Sequence, residues 1–316
     1  RFVQSIPCPP TPHLKYSQRT CSSKIMAVAS MLLESSPIIK LYRAVFLYSS
    51  PKDPVPSAYA QVLFSIAFLT AFRYFWMYCV LTPNGWDASA PVPLAKTRES
   101  IGGLVACTHS SLLLMPLLGL LLSHPTKKPS ASMSSSPPFW NYHSSTLISF
   151  TTGYMLQDAF WMLRYSFTPS GFSVSANDTT FLLHHLATTL YMVSSRVRGA
   201  GHYSAMILMW LGEVTNPVHN IYLILEHAVA KYPGERVDLA FWYASKAFAV
   251  SYGFLRIVVG PVAGIWIAYD LLLTSEGRKR VGLTLGVVWT VLIEEVLRGS
   301  FVYALEVAAV AWSQAD

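Results

Sequence analysis

Seven apolar stretches, each long enough to cross a bilayer, follow one another along the chain with short connections between them. They run over residues 57–81, 100–123, 143–165, 179–195, 202–226, 239–272 and 281–312. A bilayer core of about 30 Å takes about 20 residues of helix. Inside it, every backbone N–H and C=O must be satisfied within the segment or a closed barrel. Runs of this length restrict the chain to an all-α fold, a polytopic transmembrane helix bundle of about seven spans. The charge count agrees: Lys and Arg number 23 and Asp and Glu 16, so that 12% of the 316 residues are charged and 53% are hydrophobic. Soluble chains carry about 25% charge. A soluble particle with so few charges could not cover its surface, and a disordered chain would not be so apolar. The net charge of +7 comes from dispersed basic residues, which argues against nucleic acid as a partner.

Residues 1–56 read as an unstructured leader, 57–95 as the first span with its loop, and 96–312 as the main membrane domain. The first 25 residues hold Cys8, Pro9, Pro10, Pro12 and Cys21 but no apolar run, so they do not read as a signal peptide. The chain opens on Arg1, and Met26 is read as the initiator. Cys79 and Cys107 lie in apolar runs without CxxC spacing, which supports neither a disulfide framework nor a zinc site. Pro125–Pro138 is a Pro/Ser-rich connector. The sixth run carries Gly253, Gly260, Pro261 and Gly264, which predicts a kink or break. Seven crossings put Lys40, Arg43, Lys52, Lys127, Lys128, Arg196, Arg198, Arg278, Lys279 and Arg280 on one side. The other side holds Lys96, Arg98, Lys231 and Arg236, and the positive-inside rule assigns the larger set to the cytoplasm.

A charged side chain at mid-membrane costs at least about 2.5–3.5 kcal/mol, so each needs a partner or a wet cavity. The runs contain Arg73, Asp158, Glu213, Lys246, Arg256, Glu294, Glu295, Arg298 and Glu306, with His109, His184, His185 and His219. So many ionisable groups imply inner faces converging on a polar cavity. Glu213, Asn216 and Asn220 fall at i, i+3 and i+7, one continuous polar face, with Pro217 inside it freeing backbone carbonyls at that level. Ser245, Tyr252 and Arg256 share another face. Asp158 is expected as a counter-ion for Arg256 or Lys246, and Glu294 with Arg298 as an intrahelical pair. His109 reads as a hydrogen-bonded packing residue, and His219 as part of the face beside Asn220. The adjacent His184 and His185 point about 100° apart on a helix, so one can orient while the other reacts. Imidazole serves as base, nucleophile or ligand, but no HxxxH or HxxE spacing accompanies the pair, so no metal is expected. No resident cofactor is expected either.

Taken in order, Lys96-Thr-Arg98-Glu99-Ser100, His109-Ser110, Gly153-Tyr154…Asp158, His184-His185, Glu213…Asn216-Pro217…Asn220 and Arg256 resemble the TLC domain. That domain is shared by the translocating-chain-associated membrane protein, the longevity-assurance (ceramide synthase) proteins and the ceroid-lipofuscinosis member. The resemblance covers residues 96–312. It implies a helical bundle around a cavity open to lipid, usually in the endoplasmic reticulum, with the plasma membrane as the other location, and work on or sensing of lipids.

In the ceramide synthase branch the paired histidines transfer an acyl group from acyl-CoA with an HDxxD motif in the next helix. This chain reads Leu211-Gly212-Glu213-Val214-Thr215 there, so the resemblance points to a branch outside the ceramide synthases. It implies a membrane lipid held by Asp158, His184, His185, Glu213, Asn216, Asn220 and Arg256, and a part in lipid homeostasis. Arg256 suits an anionic headgroup. Two alternatives stand beside it. One is an acyltransferase with His184, His185 and Glu213 catalytic and acyl-CoA as co-substrate; the other is a structural or trafficking partner of other membrane proteins. The resemblance also makes Lys96–Ser100 cytoplasmic, opposite to the charge count. The lipid and the oligomeric state stay open.

Overall fold

The computed structural model describes residues 26–46, 57–90, 93–124, 126–168 and 171–313. Residues 1–25 and 47–56 of the expected leader lie outside these. Within the leader's remainder, Met26–Ser35 (α1) and Pro37–Val45 (α2) are helices, so residues 26–46 are not the unstructured segment the sequence suggests. Ser36 caps α2, accepting from the Ile39 N–H at 3.5 Å, with Pro37 in the first turn where no N–H is needed.

The main elements then follow as α3 (Ala58–Phe75), α4 (Ala95–Ser123), α5 (Pro138–Ser166), α6 (Ala176–Arg198), α7 (His202–Glu213), α8 (Asn216–Lys231), α9 (Glu235–Gly253), α10 (Gly260–Leu273), α11 (Ser275–Val281) and α12 (Leu283–Ser313). A small antiparallel hairpin, β1 (Phe167–Thr168) with β2 (Gly171–Phe172), joins α5 to α6. Helical segments coincide with all seven apolar runs, and the fold is the all-α bundle the sequence predicts. Ala58–Asn84, Ala95–Ser123 and Glu235–Leu273 are each long and apolar enough to cross a membrane on their own. With 29 residues, α5 has the length, but it buries Ser145, Thr146, Ser149, Thr151, Gln157 and Asp158, so its polar content faces the protein.

The helices close into a ring. α3 packs on α5, α5 on α6, α6 on α12, α12 on α9 and α10, α9 on α8, and α8 on α4, which returns to α3 and α5. α7 touches α4, α5, α6, α8 and α10 and so fills the interior. Close crossings set this packing: a Cβ on Gly153 would collide with Ser65 of α3, and one on Gly264 would meet Leu297 of α12 at 2.7 Å. Met206, Phe150, Leu113, Leu117 and Trp289 form the apolar core at the level of α7.

Two departures from the regular helices place the site. The fifth apolar run is two helices, not one, because the chain turns at Val214–Thr215 and restarts with Pro217 in the first turn of α8. The sixth run is not broken. It continues from Glu235 to Leu273 and passes through a π-helical stretch, Phe254–Val259, between Gly253 and Gly260. Pro261 lacks the N–H that an α-helix would send back to Ile257, and the wider turn absorbs the loss.

The connections α4–α5, α6–α7 and α10–α12 share one end of the ring. There, Ser132 bridges to Ala200, Arg198 donates to the Arg280 carbonyl at 2.7 Å, and Lys128 pairs with Glu276 at 2.5 Å. At the opposite end Lys231 donates to the Gly85 carbonyl, and Arg98 donates to the Tyr165 carbonyl at 3.1 Å.

Candidate functional site: a buried polar centre

Two charged clusters meet inside the ring. In the first, Arg73 of α3, 1% exposed, donates through Nη2 to Asp158 Oδ1 of α5 at 2.8 Å. Asp158 Oδ2 lies 3.2 Å from His185 Nε2 of α6. The other His185 nitrogen, Nδ1, is 2.6 Å from the Phe181 carbonyl one turn back. A carbonyl only accepts, so Nδ1 donates and the ring is locked with Nε2 toward the carboxylate. Trp161 covers the outer face of the Arg73 guanidinium at 5.2 Å.

In the second cluster, Glu213 at the end of α7 is the hub. Its Oε2 accepts from the Ser110 hydroxyl at 2.5 Å and from Asn216 Nδ2 at 2.9 Å, and lies 3.4 Å from His109 Nδ1. His109 reaches Thr151 Oγ1 through Nε2 at 3.2 Å. Its ring stacks on Tyr154 at 4.2 Å between centroids, and Tyr154 in turn lies 6.1 Å from the His185 ring. Tyr154 thus stands between the two clusters. Asn220 donates to the Asn216 carbonyl at 2.7 Å and crowds Gly103 of α4. The turn at Val214–Thr215 is what lets Glu213 bond Asn216 while Asn216 opens a new helix.

Arg256 sits in the π-helical stretch, 8% exposed. Its Nη2 donates to the Gly212 carbonyl at 3.1 Å, and its guanidinium lies 5.1 Å from the Tyr252 ring. It therefore meets the carbonyl end of α7, where the helix dipole favours a cation. Its Nε is buried and without a hydrogen-bond partner. His184 is half-buried, with its ring 5.8 Å from that of His185 at a steep angle. It lies within electrostatic reach of Arg256 and Glu213.

The structure brings Glu213 to Asn216 and on to Asn220, as the sequence suggests, and it brings Asp158 to His185, a contact the sequence does not suggest. Asp158 answers Arg73 and His185, not Arg256 or Lys246. Arg298 forms its short contact with Glu295 at 2.6 Å, while Glu294 is at 3.9 Å, and all three are largely exposed. This charged group faces outward rather than into the site. His219 stacks on Phe248 at 4.5 Å and bonds Tyr303 at 3.0 Å, away from Glu213. Arg73, Ser110 and Tyr154 join the centre without having been singled out as site residues. The signal for Arg73 was its place in the middle of an apolar run. Two clefts lie on the flanks of the bundle, one of about 280 Å3 beside Glu34, Arg43 and His143, and one of about 520 Å3 between α3 and α5. Neither is lined by His184, His185, Glu213 or Arg256.

A family model described as the TLC domain matches residues 99–297, which span α4 to the middle of α12 and contain every residue of the centre except Arg73. No curated protein and no solved structure matches the chain.

Proposed function

Since the chain belongs to the TLC-domain family of membrane proteins, we propose that it holds a membrane lipid inside its bundle. Through that lipid it would act on membrane lipid composition, in the endoplasmic reticulum. One observation carries this reading. Arg256 is buried in a membrane helix, bonds a backbone carbonyl, and has no carboxylate partner among the described residues. An uncompensated cation at that depth is costly, and an anionic headgroup would complete it. His184, which makes no hydrogen bond among the described residues, supplies a second polar contact beside it. Asp158, His185, Glu213, Asn216 and Asn220 frame the site and are already committed to one another.

The test is genetic and chemical together. Deletion should shift cellular lipid composition, and the native chain but not Arg256→Gln should restore it. An unchanged lipid profile on deletion would remove the reading.

The second reading is acyl transfer from acyl-CoA. It draws on the Asp158–His185 contact, a carboxylate beside an imidazole, next to the unbonded ring of His184. Glu213 fits it less well, because its Oε2 already accepts from Ser110 and Asn216. Release of CoA from acyl-CoA by the purified protein, lost in His184→Ala and His185→Ala, is the expected sign. Release that survives both changes would end it.

A further inference from the structure

The 520 Å3 cleft between α3 and α5 faces outward from the bundle, away from the buried centre. Its size falls in the range of sites for small organic ligands, about 300–1,000 Å3. Thr70 and Tyr74 of α3 form one wall, and Gln157, Phe160, Trp161 and Arg164 of α5 form the other. The α5 residues recur at i, i+3, i+4 and i+7, a single stripe along one helix face. Tyr74 and Phe160 are exposed, as befits side chains that meet acyl chains.

Two polar groups in this apolar cleft are unmet. Gln157 is 2% exposed, and both its Oε1 and its Nε2 are buried without a hydrogen-bond partner. A buried amide with nothing to bond is unfavourable in any medium and more so at membrane depth. Two turns further along, about 10 Å of helix axis, Arg164 is an exposed cation near the end of α5. It makes no ion pair or hydrogen bond among the described residues. The cleft therefore offers a cation at its mouth, an amide in its depth and aromatic walls between them. Trp161 separates it from the centre, its ring lying between the cleft and the Arg73–Asp158 pair.

We propose that this cleft binds one anionic phospholipid from the adjoining leaflet. The phosphate pairs with Arg164, a carbonyl of an acyl linkage accepts from Gln157 Nε2, and the chain lies between Tyr74 and Phe160. The site is distinct from the one built on Arg256, and neither depends on the other.

The full chain in phosphatidylcholine nanodiscs, doped with phosphatidylglycerol or phosphatidylcholine carrying a diazirine on the acyl chain, tests it. Irradiation should label the peptides holding Thr70–Tyr74 and Leu156–Arg164. Phosphatidylglycerol should be favoured about tenfold, the order of a charge-assisted hydrogen bond. Arg164→Gln, an exposed change, should abolish that preference. Gln157→Leu should lower labelling by both lipids while raising the melting temperature, because it deletes an unmet polar group. Arg256→Gln should leave the labelling intact. Absence of label from these segments, equal labelling by the two lipids, or a preference that survives Arg164→Gln would each overturn the proposal.

Discussion

Arg73 and Asp158 are the residue pair on which the buried centre leans. Breaking a buried ion pair from one side costs about 3–5 kcal/mol, because the remaining charge is left without compensation, whereas removing both partners costs far less. Arg73→Leu and Asp158→Leu should therefore each lower the melting temperature in detergent sharply. The double variant should lose much less than the sum of the two, and additive losses would show that the two groups do not interact. Asp158 and Glu213 stand out in the sequence as acids inside apolar runs, but their partners do not. Arg73 lies 85 residues from Asp158 and Ser110 lies 103 from Glu213. Such pairs depend on which helices become neighbours in the ring, and intrahelical spacing says nothing about that. Spacing does give the Glu294–Arg298 pair, at 3.9 Å, but not the shorter contact that Arg298 makes with Glu295 at i−3.

At the level of elements, six of the seven apolar runs give the rough bounds of long helical segments, since runs of this length satisfy their backbone in the membrane as helices. The turn at Val214–Thr215 is harder to see, because the run from 202 to 226 stays apolar through it. The sign was Pro217, which fits a first helical turn better than a helix interior. The α3–α5 crossing depends on Gly153, whose missing Cβ leaves room for Ser65 and for the Val62 carbonyl. Gly153→Ala should destabilise by about 1–3 kcal/mol through overpacking, measured by thermal unfolding, and Ser65→Gly in the same chain should recover part of the loss.

The entry to α4 has a pH signature. Asp87, in the loop before α4, accepts from the Leu94 N–H at 2.7 Å and from the Thr97 hydroxyl. Burial pushes its carboxyl up, but these bonds outweigh it and hold the carboxyl below the usual range. A lowered folded-state pKa adds stability above the unfolded value, about 3.9, and the gain is lost as pH falls through the folded value. The stability gap between native chain and Asp87→Asn should accordingly be widest near neutral pH and close below about pH 4. A gap that stays constant with pH would assign the loop another support.

Across the whole molecule, the loops gather by charge. Lys127, Lys128, Arg198, Arg278, Lys279 and Arg280 share the end formed by the α4–α5, α6–α7 and α10–α12 connections. The other end mixes Lys96, Arg98, Lys231 and Arg236 with Asp87, Glu99, Asp178, Glu235 and Asp238. The positive-inside rule places the basic end in the cytoplasm. A glycosylation acceptor inserted near Ala88 should then be modified in microsomes, and one in the connector near Ser134 should not. The reverse pattern would favour the orientation implied by the ceramide synthase resemblance. Most polar residues inside this ring pair with one another, and Arg256, with no carboxylate partner among the described residues, is the group that a bound lipid would complete. Native mass spectrometry of the intact protein, released from nanodiscs, reads that directly. A single lipid should stay bound after extensive delipidation and be lost in Arg256→Gln, while Arg164→Gln retains it. A bare polypeptide mass for the native chain, or a lipid held equally by Arg256→Gln, would contradict a lipid site at the buried centre.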